Sequence, residues 1–134
     1  MIVGGLTVAF RRGILEHILN SRPKCALFTK AATLGADTLR YSPENEVHGE
    51  GYQLGGMELE GGTILPGPDG GLSLVFRSPV WKVSTINAYG AVIYLADDAG
   101  KTVRTICFEK NIISTNGPFT VKLAGAADGG IVTT

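Results

Sequence analysis

The segment Ile86–Glu109 reads INAYGAVIYLADDAGKTVRTICFE, and it decides the fold class. Within it, Ala91-Val92-Ile93-Tyr94-Leu95 is apolar on both faces, the pattern of a central strand buried on either side. Asp97-Asp98-Ala99-Gly100 then supplies turn chemistry. From Thr102 the residues alternate, with Val103, Thr105, Cys107 and Glu109 on one side and Arg104, Ile106 and Phe108 on the other. The pattern predicts an antiparallel hairpin, with strands at Ile86–Ala96 and Thr102–Glu109.

Reading outward from this hairpin extends the β pattern in both directions. Downstream, Asn116-Gly117-Pro118 predicts a turn, and Phe119–Leu123 and Ile131–Thr133 predict closing strands. Upstream, Gly71–Phe76 places Leu72, Leu74 and Phe76 on one face and follows the turn Pro66-Gly67-Pro68-Asp69-Gly70-Gly71. Met57–Glu60 and Lys24–Thr29 also read as strands. Between them, Ala31–Gly56 is a turn-rich loop punctuated by Gly35, Pro43, Gly49, Gly51, Gly55 and Gly56. Loops of that length in compact domains are more often functional or interface-forming than idle.

One helix is expected, at Thr7–Asn20. Thr7 can cap it, and Phe10, Ile14, Leu15, Ile18 and Leu19 recur at helical spacing. Pro23 stops it, because the residue before a proline avoids helical backbone. So short a helix is not stable alone, so its apolar stripe must cover the sheet or dock on a partner. No βαβ alternation is present. The expectation is a mainly β, antiparallel β-sandwich, jelly-roll-like or Ig-like, forming one domain over 1–134. Residues 1–22 form an N-terminal segment with the helix, and 23–134 form the sandwich.

Composition agrees with a folded domain. Of 134 residues, 44% are hydrophobic and 18% charged, the reverse of a disordered chain. The formal net charge of +0 argues against nucleic-acid or anionic-membrane binding driven by bulk charge. The charge is nevertheless segregated. Arg11, Arg12, Arg22, Lys24, Lys30 and Arg40 face only Glu16 and Asp37 in the first 40 residues; Glu44, Glu46, Glu50, Glu58, Glu60 and Asp69 follow without a Lys or Arg before residue 75. Complementary patches of this kind orient partners, although solvated faces also scatter this way. Cys25 and Cys107 fall in predicted strands and are expected as small buried hydrophobes, not as a disulfide. Met1–Phe10 lacks the pattern of a signal peptide, and no apolar run reaches the roughly 18 residues of a membrane span. The chain is expected to be made in the cytoplasm.

The residues that carry chemistry do not converge. His17 and His48 are the only histidines, and with Cys25 and Cys107 they lack the close spacing of a zinc site. His48 beside Glu46 and Glu50 could move protons; an exposed loop histidine is the simpler reading. Gly100-Lys101-Thr102 ends like a phosphate-binding loop, but Leu95 stands where that motif needs glycine. Gly49 and Gly51 precede no helix. Asp97-Asp98 reads as a turn, since calcium takes six or more oxygens. No enzyme activity, catalytic residue, cofactor or metal is therefore expected. The candidate protein-interface residues are Arg11 and Arg12 on the helix, Tyr41, Glu44, Glu46 and Glu50 in the acidic loop, and the loop-flanking aromatics Tyr52 and Trp81.

Several segments carry a resemblance. They are Cys25-Ala26-Leu27-Phe28-Thr29, Tyr41–Val47 leading into Gly49-Glu50-Gly51-Tyr52 and Gly55-Gly56, Pro79-Val80-Trp81, Ala88–Tyr94, and Ser114–Val121. Their order over roughly residues 24–124 resembles small virion structural proteins of tailed bacteriophages, the β proteins encoded among head and tail genes. The resemblance implies a non-enzymatic, multi-copy virion component. Its partners would be other virion proteins, the major capsid protein or portal and tail proteins, and further copies of itself, with no nucleic acid or membrane. A capsid cement or decoration subunit is the first expectation. A tail, collar or fibre-attachment component is the second, and a carbohydrate- or receptor-binding module using Tyr52, Trp81 and Tyr89 as stacking platforms the third. The helix at Thr7–Asn20 has no assigned counterpart in that group.

Overall fold

The computed structural model describes residues 7–35, 38–67, 71–125 and 130–133. It is mainly β with one N-terminal helix, as the periodicity predicts. Helix α1 spans Val8–Asn20, and the Thr7 hydroxyl caps it by accepting from Phe10 N–H at 3.2 Å. The strands are β1 (Pro23–Phe28), β2 (Met57–Glu58), β3 (Thr63–Pro66), β4 (Leu72–Val75), β5 (Val80–Leu95), β6 (Lys101–Thr120) and β7 (Val132–Thr133). They form two antiparallel sheets, ordered β2-β1-β5-β6 and β3-β4-β7.

The hairpin of Ile86–Glu109 organises the molecule. Leu95 pairs with Lys101 across Asp97-Asp98-Ala99-Gly100, and Ala99 and Gly100 both take positive φ to close the turn. Strand β1 pairs with β5 from Leu95 to Gly90, so the apolar run is central. Cys25, Leu27, Ile93, Leu95 and Ala91 pack with Leu74 and Ile131 from the neighbourhood of the second sheet in one core. Ala26, Phe28, Val92 and Tyr94 form a smaller cluster on the opposite face of β1 and β5. That division follows the two-residue period of a strand.

Both hairpin strands run much farther than expected, to 16 residues for β5 and 20 for β6. Irregular register lets them do so. Gly90 pairs with Cys107 but Ala88 pairs with Ile112, so Tyr89 alone lies opposite the stretch Phe108–Asn111. A smaller slip between Ile93 and Tyr94 leaves Val103 as an extra residue. It moves Val103 off its expected side: Ile106 and Phe108 share a face as expected, and Val103 joins them against the core. The expected turn at Asn116-Gly117-Pro118 instead lies inside β6, where the register shifts on either side of Ser84. Asn116 takes φ 49, its N–H donates to Thr85 Oγ1 at 3.1 Å, and Gly117 pairs with Ser84. Because β6 is an edge strand, Pro118 interrupts no inner ladder.

Other differences are smaller. Strand Thr63–Pro66 was not expected; it pairs with β4 from Thr63↔Val75 to Pro66↔Leu72, which makes the Pro/Gly turn a hairpin. Pro68, Asp69 and Gly70 of that turn, and Met1–Leu6, lie outside the described residues. On α1 only Leu15 and Ile18 are fully buried; Phe10 is 61% exposed and Ile14 37%. Cys25 is buried and Cys107 exposed, and both thiols are free. The expectation of two buried cysteines fails at Cys107 because its side chain leaves the core face of an edge strand.

Candidate functional site

The loop between β1 and β2 was expected to reach outward. Its centre instead turns inward. Asn45–Val47 runs beside the end of β1: Thr29 N–H donates to Asn45 C=O at 2.9 Å and Val47 N–H to Leu27 C=O at 3.0 Å. The chain then lies along β5, where Thr85 N–H donates to Glu50 C=O at 2.9 Å. Glycine permits this approach. A Cβ on Gly51, whose φ is +78, would sit 2.1 Å from Val83 O; one on Gly56, also at φ +78, would sit 1.9 Å from Cys25 O.

Glu46 is the hub of the loop and is only 1% exposed. Its Oε1 accepts from the Tyr41 hydroxyl; its Oε2 accepts from the Tyr52 hydroxyl and from Gly55 N–H, the last at 2.8 Å. The Tyr52 hydroxyl in turn accepts from Leu27 N–H at 2.9 Å. Tyr94 donates to Gly55 C=O at 2.6 Å, and its ring stacks on Tyr41 at 4.4 Å. Three tyrosines from the loop and β5 therefore surround one carboxylate, with no Lys or Arg in an ion pair with it among the described residues. Hydrogen bonds from hydroxyl and amide donors offset its desolvation instead.

The same surroundings make the neighbouring groups weaker acids. Burial first, and then the bonded Glu46 carboxylate, push Tyr41 and Tyr52 well above the ordinary phenol range. Burial pushes Tyr94 up to about 12 and the Cys25 thiol up to about 12. Neutral tyrosines are what the network requires, since each donates its proton. The cluster is a structural latch. Both carboxylate oxygens are occupied, and Glu46 is sealed from solvent.

This geometry corrects three interface assignments. Glu46, Tyr52 at 9% exposure and Trp81 at 4% are interior groups, not surface anchors. Tyr52 and Trp81 pack together at 5.8 Å, and Trp81 meets Phe119 at 6.1 Å. Their burial also removes two of the three stacking platforms expected of a carbohydrate-binding module. Tyr89, the third, is half-buried under Lys30 Nζ. Tyr41 is half-buried in the latch. Glu44 and Glu50 remain exposed, as does Arg12, while Arg11 is half-buried. The signal for the latch was present as Tyr41, Glu46 and Tyr52, but nothing in their spacing says that they converge.

Other charged groups pair locally. Arg22 bridges Glu58 at 3.1 Å and Asp97 at 3.3 Å, so part of the segregated charge is satisfied within the chain. Asp98 bonds His17 at 3.1 Å, and Asp97-Asp98 are thus turn residues with side-chain partners. His48 is exposed beside a groove that includes Lys30, Asn87 and Asn111. Among the described residues no group of His, Cys, Asp or Glu is placed to hold a metal ion, and no helix is long and apolar enough to cross a membrane.

Apolar side chains that remain outside form the other candidate surfaces. Val8, Phe10 and Ile14 project from α1. Val83 at 66% and Ile113 at 63% stand on the bulged β5–β6 ribbon, and Leu39 and Leu54 stand on loops. Comparison with family models, curated proteins and solved structures found no match to this chain.

Proposed function

We propose that the chain is a non-enzymatic virion structural protein acting by protein–protein contacts, first of all as a capsid-associated cement or decoration subunit. One observation supports this reading above the others. Large apolar side chains are exposed on separate parts of the fold: Phe10 on the helix, Val83 and Ile113 on the ribbon, Leu39 and Leu54 on loops. Exposed apolar groups mark contact surfaces more readily than catalytic ones. A subunit seated among several neighbours needs contact residues on several sides, whereas an enzyme needs one equipped cleft. The latched loop suits the same role, because a rigid loop loses less conformational freedom on docking.

The test is co-sedimentation of the purified chain with phage particles or capsid shells that lack it. Saturable binding with a fixed copy number per shell is expected. Binding to isolated tails but not shells would replace the cement role by the tail or collar role. Absence of binding to any particle component would overturn the proposal.

A further inference from the structure

We draw no further inference here: the strongest candidate, the open apolar groove that Phe10, Gly13 and Ile14 of α1 form with Leu95 and Val103, carries nothing because nothing in the structure shows what covers it.

Discussion

The hydroxyl of Tyr52 accepts a hydrogen bond from the backbone N–H of Leu27 at 2.9 Å. A loop side chain thereby completes the backbone bonding of a buried strand. The same hydroxyl donates to Glu46, so one oxygen ties β1, the loop and the buried carboxylate together. Stability of the sheet and position of the loop are coupled through it.

Tyr52→Phe removes that oxygen, leaving Leu27 N–H without a partner and Glu46 Oε2 with Gly55 N–H alone. A loss of ~2–4 kcal/mol is expected, from the cost of buried groups left unbonded. Tyr94→Phe loses only the bond to Gly55 C=O and should cost about 1 kcal/mol. Urea denaturation of both variants checks the order. Equal losses would show that Tyr52 does not hold the strand.

Glu46→Gln keeps the shape of the hub but replaces one acceptor by a donor facing groups that already donate. It should cost about 2–3 kcal/mol, in the range of hydrogen bonds to charged groups. Glu46→Ala should cost more, because it leaves Tyr41, Tyr52 and Gly55 without their acceptor. Amide exchange at Thr29 and Val47, which bond across to and from the loop, should rise sooner than exchange in the centre of β5. Uniform acceleration would rule out a local latch.

Alkaline pH should destabilise the fold in a defined window. Cys25 is raised from 9.0 to about 12 and Tyr94 from 10.0 to about 12, and Tyr41 and Tyr52 are raised too. A group raised in the folded state holds its proton more tightly there, so its stabilisation is intact below the unfolded value and is lost as pH rises toward the folded one. Stability should be level up to about pH 9 as far as these groups are concerned, then fall by roughly 1.4 kcal/mol per pH unit as Cys25 is passed, with smaller, solvent-screened losses from the tyrosines above about pH 10. Denaturation midpoints between pH 8 and 11 measure it (about one group, Cys25, titrating first). Cys25→Ala should move the onset to higher pH.

The thiols should separate cleanly by reactivity. Cys107 is exposed and Cys25 buried. A chromogenic disulfide reagent should label Cys107 at once in native protein and Cys25 only on unfolding. Rapid native labelling of both would contradict the packing of β1.

Glycines should respond oppositely to alanine. Gly56→Ala combines positive φ with a Cβ 1.9 Å from the Cys25 carbonyl oxygen, and a loss of at least ~3 kcal/mol is expected. Gly13→Ala, with open space around it, should stabilise the fold by up to ~1 kcal/mol. Thermal melts at low concentration compare them.

Local patterns were readable wherever short-range chemistry decides structure. Thr7 and Pro23 bound the helix, the doubly apolar Ala91–Leu95 run announces a central strand, and Asp97–Gly100 announces the turn. Asn116-Gly117-Pro118 misled because the same positive φ serves a turn or a bulge, and only the partner strand distinguishes them. Tyr52, Trp81 and Glu46 misled for a related reason. Polar-tipped aromatics and a carboxylate in a Gly-rich loop look exposed until hydrogen-bond partners from distant segments are brought to them.

The amino-acid sequence by itself determined a mainly β, antiparallel domain with one capped helix, because periodicity, caps and turn residues act over a few neighbours. The tertiary structure decided which loop residues face inward, how far β5 and β6 extend past their bulges, and which apolar side chains of α1 stay uncovered. Those outcomes depend on contacts between residues far apart in the chain, such as Leu27 with Tyr52 and Ala88 with Ile112, whose pairing no local pattern encodes.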